Sequence, residues 1–187
     1  MPRIILASGS PRRRELLGEL YSEFDIITSD VDEELPEDVL PVFGVEILAV
    51  RKGAAVACMH SDAVVISSDT LVELDNIPLG KPVSVDDAYR MLSMLSGKYH
   101  NVHTGVAVHY NGRVKSGVAT ARVKFKSLSE AEIWEYIDTK EPMDKAGSYA
   151  IQGIGGKFVE SYDGDFDTIM GLSVSLTKEL IDSVLGE

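Results

Sequence analysis

Serine hydroxyls and arginine side chains are concentrated near the start of the chain, in the segment Ser8-Gly-Ser-Pro-Arg-Arg-Arg14. Guanidinium groups bind phosphate oxygens in pairs, and hydroxyls add single donors. The apolar run Ile4–Ala7 predicts a buried strand, and Ser10-Pro11 supplies a capping residue followed by proline at the first helical position. The exposed amides of a helix start favour anions, so this segment predicts a polyphosphate site. The alternative is a capped surface helix with a basic first turn, in which three arginines would oppose the helix dipole.

Four carboxylates lie within five residues in the segment Asp30–Glu34. Most such runs are solvated loops. Beside a polyphosphate, however, one or two carboxylates suffice for Mg²⁺, which prefers oxygen ligands and shares them with substrate phosphates, and Glu33 is the predicted ligand. The next segment, Val42–His60, has apolar residues near helical spacing and carries Lys52. We interpret Lys52 either as a phosphate ligand or as an ordinary exposed lysine.

A candidate catalytic carboxylate follows the continuous apolar run Ala63–Ile66, which is typical of a strand buried on both faces. Ligands of open α/β sheets bind beyond the carboxyl ends of strands, where Asp69 is predicted to lie. The alternative is an aspartate that only caps a turn. Residues 71–79 predict a hairpin that returns the chain to Lys81, between Gly80 and Pro82, and brings this lysine near Asp69.

The remaining elements alternate between strands and helices and predict a mixed α/β domain. Gln152 precedes three crowded glycines, which predict a tight turn or a backbone that passes close to a ligand. The predicted elements are a helix from Ser84 to Ser96, strands Tyr99–Tyr110 and Arg113–Lys126 joined by Asn111-Gly112, a helix opened by the capping box Ser129–Glu132, a hairpin of Phe158–Tyr162 and Phe166–Met170, and a helix Ser175–Leu185.

The composition limits the classes of function. With 187 residues, of which 44% are hydrophobic, the chain is long enough for one domain, with or without two lobes. The net charge of −12 opposes broad binding to nucleic acid, and we expect no membrane partner because no apolar run approaches bilayer length. Cys58 is the single cysteine and is predicted to be a buried thiol, so a soluble protein of the reducing cytoplasm is expected.

In order and spacing, these motifs resemble those of the Maf family of nucleoside triphosphate pyrophosphatases over essentially the whole chain. The resemblance implies a single domain, residues 1–187, with a mixed α/β fold, a long central sheet and two lobes flanking a deep cleft. The motifs that carry it are Ser8-Gly-Ser-Pro-Arg-Arg13, Glu33, Lys52, Ser68-Asp-Thr70, Gly80-Lys-Pro82, Leu95-Ser-Gly97, the segment 141–153, Gly164-Asp165 and Met170-Gly-Leu172. The sequences Asp-Lys-Ala-Gly and Ile-Gln-Gly within 144–153 resemble the branch that hydrolyses dTTP and UTP.

Roles for individual residues follow from this resemblance. Asp69 would accept a proton, and Glu33 and Asp69 would hold a divalent cation, Mg²⁺ or Mn²⁺. Substrate discrimination is assigned to Arg12, Thr70 and Gln152, and the phosphate and metal site to Ser8, Arg13, Glu33, Lys52 and Lys81. Two departures from the family pattern are Arg51, where an acidic residue is usual, and Ser67-Ser68 before Asp69, where Gly-Ala or Ala-Ala is usual and where the added bulk and hydroxyls could alter the hydrogen bonding of Asp69.

The sequence therefore predicts an enzyme that hydrolyses dTTP and UTP, extending to pyrimidines modified at C5, into the monophosphate and pyrophosphate. The amide of Gln152 offers one donor and one acceptor, which match the N3 hydrogen and carbonyl of uracil or thymine. Two alternatives are the same hydrolysis of non-canonical purine triphosphates and a nucleotide-binding regulator of septum formation. Because a dimer is common in similar proteins, a homodimer is an expectation.

Overall fold

The computed structural model describes residues 2–36 and 38–186 of the chain. Its strands are β1 Ile4–Leu6, β2 Asp25–Ile26, β3 Val64–Leu74, β4 Ile77–Leu79, β5 Tyr99–Tyr110, β6 Arg113–Phe125 and β7 Val159–Asp163. Its α-helices are α1 Pro11–Leu17, α2 Pro41–Ala57, α3 Val85–Leu95, α4 Glu130–Asp138, α5 Phe166–Met170 and α6 Val174–Gly186. Short 3₁₀ helices cover Glu141–Asp144, Ala146–Ser148 and Ile154–Phe158. In the described ranges, no helix combines the length and the apolar character that crossing a membrane requires.

The described strands form one seven-stranded mixed sheet in the order β2-β1-β3-β5-β6-β7, with β4 paired to β3. β1 is parallel to both β2 and β3, whereas β4 is antiparallel to β3 and β7 is antiparallel to β6. This arrangement confirms the predicted mixed α/β fold with a central sheet and flanking helices.

The chain divides into two compact units, and the first comprises the residues up to Thr70, Thr104–Ala119 and the residues from Gly171 onward. In this unit β1 pairs with β3 from Ile4 opposite Val64 to Leu6 opposite Ile66. Helix α2 packs on these strands through an apolar cluster, because Val56 is buried together with Ile5 and Val65. These elements position the helix start at residue 11, α2 and the middle of β3.

The second unit comprises Leu71–His103 and Thr120–Met170, and it has its own apolar core. Tyr136, Phe125 and Phe158 are its largest fully buried side chains. Its helices begin as the sequence predicts: the Ser84 hydroxyl accepts a hydrogen bond from the Asp87 amide, and the capping box of α4 is complete.

Two hairpin turns were also predicted correctly. The turn between β3 and β4 has φ values of 52° and 65° at Asp75 and Asn76, and the turn after β5 has 48° and 75° at Asn111 and Gly112. Two successive positive φ values are what a two-residue hairpin loop requires, and Asn, Asp and Gly tolerate them best.

Other predictions were wrong. Residues 166–170 form helix α5 and not the second strand of a hairpin, because Thr168, Ile169 and Met170 are buried consecutively, without the alternation of an exposed strand. β7 pairs with β6 instead. Cys58 is exposed and not buried, because it lies at the C-terminal end of α2, where the helix leaves the core.

Candidate active site

Asp69 lies inside strand β3, three residues beyond the last residue that pairs with β1. The prediction that it follows the end of a strand was therefore wrong, since β3 continues to Leu74 and pairs with β4. The residue nevertheless lies past the carboxyl end of β1, and its side chain is 14% exposed. The carboxylate is thus sheltered but accessible.

The ammonium group of Lys52 joins Asp69 to the acidic loop before α2. Lys52 Nζ donates to Asp69 Oδ1 at 2.6 Å and lies 2.9 Å from Glu33 Oε1. The Lys52 side chain is 17% exposed, whereas that of Glu33 is 61% exposed. The structure therefore brings together three residues that the sequence indicated separately, and one of the two carboxylates faces solvent.

Arg51 anchors the loop that carries Glu33, a role that sequence reasoning missed. Its Nη1 donates to the carbonyl oxygens of Glu34 at 2.7 Å and Asp32 at 3.2 Å, on either side of Glu33. An acidic side chain could not make these bonds because carbonyl oxygens need donors. The only sequence feature that pointed to such a role was the position of Arg51 directly before Lys52.

Arg13 connects three parts of the first unit. Its Nε donates to the Gly171 carbonyl at 2.8 Å, Nη1 to Ser8 Oγ at 3.3 Å and Nη2 to Thr70 Oγ1 at 3.2 Å. Thr70 Oγ1 is also 3.0 Å from Thr104 Oγ1. The guanidinium group therefore fixes two side chains that the sequence assigned to the substrate.

The Gly171 carbonyl is a second point of convergence that sequence reasoning missed, although Met170-Gly-Leu172 was noted as a motif. It accepts from Arg13 and, at 2.8 Å, from Ser68 Oγ. The neighbouring Ser67 Oγ donates to the Ala49 carbonyl at 2.7 Å. Both serines before Asp69 therefore bond to backbone carbonyls, and these bonds do not involve the Asp69 carboxylate.

The electrostatic environment of Arg13 shows how closely the charged groups are placed. Burial lowers the pKa of the Arg13 guanidinium, the Asp69 carboxylate opposes this, the Arg12 cation lowers the pKa further, and Glu33 raises it. Arg12 itself makes no side-chain hydrogen bond or ion pair with the described residues. Two adjacent guanidinium groups, one of them uncommitted, form a site that an anion would stabilise.

The start of α1 is less regular than predicted. Ser10 occupies the N-cap position before Pro11, but its side chain makes no capping hydrogen bond. Instead, the Ser10 amide donates to Ser8 Oγ at 3.3 Å. The Ser8 hydroxyl therefore accepts from both the backbone and Arg13, which leaves its own proton available as a donor.

Two carboxylates converge on one cationic nitrogen, and their arrangement indicates whether these residues fit a divalent metal ion. Glu33 and Asp69 both contact the Lys52 ammonium, so their oxygens already share one positive group. Within residues 2–36 and 38–186, no cluster of three or more His, Cys, Asp or Glu side chains is arranged for a metal ion. A pair of carboxylates fits Mg²⁺, which usually takes one or two of them and completes its coordination with phosphates and water.

Lys81 and Gln152 belong to the second unit. Lys81 follows β4 and is exposed, and Gln152 is exposed in the turn before the 3₁₀ helix Ile154–Phe158. The predicted proximity of Lys81 to Asp69 stays a prediction.

Known proteins are similar to this chain over nearly its full length. The sequence profile of a family described as Maf-like protein matches residues 3–184. The chain is 48% identical over 178 residues to a dTTP/UTP pyrophosphatase from Desulforamulus reducens, with 94% of this chain and 93% of the relative covered.

The chain belongs to the Maf family. A second Maf relative, a dTTP/UTP pyrophosphatase from Bdellovibrio bacteriovorus, is 44% identical over 189 residues and covers 96% of this chain and 97% of its own. Among solved structures, the Staphylococcus aureus Ham1 protein aligns with a TM-score of 0.55 at 14% identity, covering 98% of each chain. The Maf fold of this chain is therefore similar to that of Ham1, a likeness that concerns the fold alone.

Proposed function

We propose that this Maf protein hydrolyses dTTP and UTP to the nucleoside monophosphate and pyrophosphate. The observation that carries the proposal is the Lys52 ammonium bonded to both Asp69 and Glu33, beside Arg12 and Arg13. Relatives named as dTTP/UTP pyrophosphatases, 42% or more identical over nearly the full length, support the choice of substrate.

Hydrolysis of a phosphoanhydride requires neutralised phosphate charge, a positioned water and a proton acceptor. Arg12, Lys52 and Lys81 supply cationic groups for the phosphates, while Arg13 adds charge and holds Ser8 and Thr70 in place. Asp69, oriented by Lys52, accepts the proton of a water that attacks the α-phosphorus, and the bond from that phosphorus to the bridging oxygen breaks. Pyrophosphate leaves with the bridging oxygen.

Glu33 and Asp69 are the residues that would hold Mg²⁺ or Mn²⁺. When bound, the cation supplies positive charge to the triphosphate. Lys52 contacts the same two carboxylates, so it neutralises their mutual repulsion before substrate arrives.

Base selection is assigned to Gln152, whose amide matches the N3 hydrogen and the O4 carbonyl of uracil or thymine. A substituent at C5 points away from this edge, so pyrimidines modified there fit the same recognition. Replacing Gln152 with alanine is expected to lower the ratio of pyrimidine to purine turnover. An unchanged ratio would assign recognition to another residue.

The substitution Asp69→Asn tests the proposed proton acceptor. It keeps the size of the side chain but removes its basicity, so pyrophosphate release from dTTP should fall by about 10²- to 10⁴-fold. Asp62→Asn, an exposed position before β3, is the matched control and should retain full turnover. Circular dichroism checks that both variants are folded. Normal turnover by Asp69→Asn would exclude the assignment.

A further inference from the structure

The turn that carries Gln152 is held on its C-terminal side by the carboxylate of Glu141. The amide of Ile154 donates to Glu141 Oε1 and the amide of Gly155 donates to Oε2, each at 3.0 Å. One carboxylate therefore satisfies two successive backbone donors immediately after the turn. Glu141 comes from the start of another 3₁₀ helix, eleven residues earlier in the chain.

The hydroxyl of Tyr136 holds the other side of the same turn. It accepts a hydrogen bond from the Ala150 amide at 3.2 Å, and it lies close enough to the Glu141 carboxylate to lower the pKa of that group. The Tyr136 ring is fully buried in the core of the second unit, so its hydroxyl is a fixed point. The turn itself is closed by the Gly153 amide, which donates to the Ala150 carbonyl at 3.1 Å. Gln152 thus lies between two backbone segments, Ala150 on one side and Ile154 and Gly155 on the other, whose amides are held by hydrogen bonds to side chains.

The glycines of this segment make the close approach of these groups possible. A Cβ atom at Gly153 would collide with Glu141 Oε1, and one at Gly155 would lie 2.5 Å from the Tyr136 hydroxyl. The backbone at Gly153, with φ −103° and ψ −154°, is accessible to any residue. Glycine is therefore needed at position 153 because a side chain there would occupy the space of the Glu141 carboxylate. The backbone conformation does not itself require glycine.

The carboxylate is ionised at neutral pH. Burial raises the pKa of Glu141, but the Tyr136 hydroxyl, the Gly155 and Ile154 amides and the Lys145 cation together lower it below its ordinary value. A charged acceptor makes stronger hydrogen bonds to backbone amides than a neutral one.

We propose that Glu141 and Tyr136 are positioning residues for base selection, holding the backbone of the Gln152 turn so that its amide meets the pyrimidine edge in one orientation. This inference rests on the proposed role of Gln152. Uracil presents an N3 donor and an O4 acceptor, whereas cytosine presents an N3 acceptor and an amino donor. A primary amide can present its donor and acceptor in either order and so satisfy either base. A fixed turn places the Cα of Gln152 and limits the side-chain rotamers from which the amide can reach the base, which favours one order.

The test compares kcat/KM for UTP and CTP in four variants: Gln152→Ala, Glu141→Gln, Tyr136→Phe and the double variant Glu141→Gln/Gln152→Ala. A carboxamide at position 141 offers one acceptor oxygen and turns its NH₂ toward the other backbone donor. We expect Glu141→Gln to lower the UTP-to-CTP ratio by about tenfold, the effect of one lost hydrogen bond. Tyr136→Phe should lower it in the same direction.

Non-additivity separates positioning from general damage to the fold. Because Glu141 acts through Gln152, the double variant should have the same ratio as Gln152→Ala alone. The matched control is Glu132→Gln, which also removes a carboxylate that accepts from a backbone amide in this unit, that of Ser129 in the capping box. Glu132→Gln should lower stability but leave the ratio unchanged.

The outcomes distinguish this inference from the proposed function. If Gln152→Ala lowers the ratio while Glu141→Gln and Tyr136→Phe do not, the inference is overturned and the role of Gln152 stands. If Glu141→Gln lowers the ratio and Gln152→Ala does not, both the positioning role and base selection by Gln152 are wrong. If Glu141→Gln does not fold, the comparison of Tyr136→Phe with Gln152→Ala decides whether the turn must be positioned for base selection.

Discussion

At the scale of single residues, Lys52 is the group on which the proposed chemistry depends most. It is shared by a sheltered carboxylate, Asp69, and an exposed one, Glu33. Sequence reasoning named all three as candidates because a polyphosphate needs those residue types, while the family resemblance assigned their roles. It could not identify the bonds of Arg13 to Gly171, since the partners are 158 positions apart and one of them is a backbone carbonyl.

Replacing Lys52 with methionine should leave Asp69 and Glu33 without their common partner. We expect the free energy of unfolding to fall by about 1–3 kcal/mol, because the Lys52–Asp69 pair is mostly buried, and turnover to fall by about tenfold or more. Urea denaturation and pyrophosphate release measure the two effects. Lys157→Met, in an exposed pair with Glu135 at 4.0 Å, is the control and should change stability by less than about 0.5 kcal/mol. Unchanged turnover in Lys52→Met would show that Asp69 acts without it.

Gly171→Ala should disturb both the backbone and its contacts. Gly171 has φ +119°, where a side chain is strained, and an added Cβ would lie 3.3 Å from Thr70 Oγ1. We expect a loss of about 1–3 kcal/mol in stability, with reduced turnover because Arg13 and Thr70 shift. Gly186→Ala, where an added Cβ meets no atom within 4 Å, is the control. Equal melting temperatures for the two variants would contradict this account.

At the scale of elements, helix α2 lies unusually close to the sheet, and this approach positions Lys52. A Cβ at Gly53 would lie 2.5 Å from Ser67 Oγ and 2.6 Å from His109 Nε2, and a Cβ at Gly105 of β5 would collide with the Val45 carbonyl. The spacing of apolar residues predicted α2, and Asn111-Gly112 predicted the hairpin of β5 and β6. Neither pattern predicts the distance between helix and sheet, because tertiary packing sets that distance. The same lack of tertiary information led to the wrong assignment of residues 166–170.

Gly53→Ala is therefore expected to destabilise the protein even though alanine favours a helix by about 1 kcal/mol over glycine. The added methyl group would push α2 and the adjacent Lys52 away from β3 and β5, so turnover should fall as well. The neighbouring Ala54→Gly makes the opposite exchange on the exposed side of α2. It should cost about 1 kcal/mol in stability and leave turnover unchanged. A higher melting temperature for Gly53→Ala would refute the close packing.

At the scale of the whole molecule, the chain is acidic, with a net charge of −12, yet Arg12 and Arg13 are adjacent cations near Asp69 and Glu33, where we propose that an anion binds. Composition indicated this contrast but not where the titratable groups are buried. Of the histidines on β5, His100 is 3% exposed, and its Nε2 lies 2.8 Å from the Tyr149 hydroxyl. Burial lowers the pKa of His100 to about 4. The cytoplasmic location and the homodimer stay predictions from the sequence.

Acidification should destabilise the fold through His100 before most carboxylates titrate. The unfolded chain binds a proton with the ordinary pKa of 6.5, whereas the folded state binds it only at about 4. The contribution of the uncharged His100 to the free energy of unfolding is therefore fully present above pH 6.5. It is lost as the pH falls toward 4, by up to about 3 kcal/mol. Thermal unfolding between pH 7.5 and 4.5 should show a shallower loss for His100→Gln than for the wild type. Parallel curves would contradict the burial of an uncharged imidazole.

The most direct test of the proposed function is pyrophosphate release by the purified protein with Mg²⁺ from dTTP, UTP, CTP, GTP and ITP, measured in parallel for Asp69→Asn. We predict strong release from dTTP and UTP, little from the other nucleotides, and loss of all release in the variant. Release from a purine triphosphate alone would contradict base selection by Gln152. The absence of release from every nucleotide would contradict the proposed hydrolysis itself.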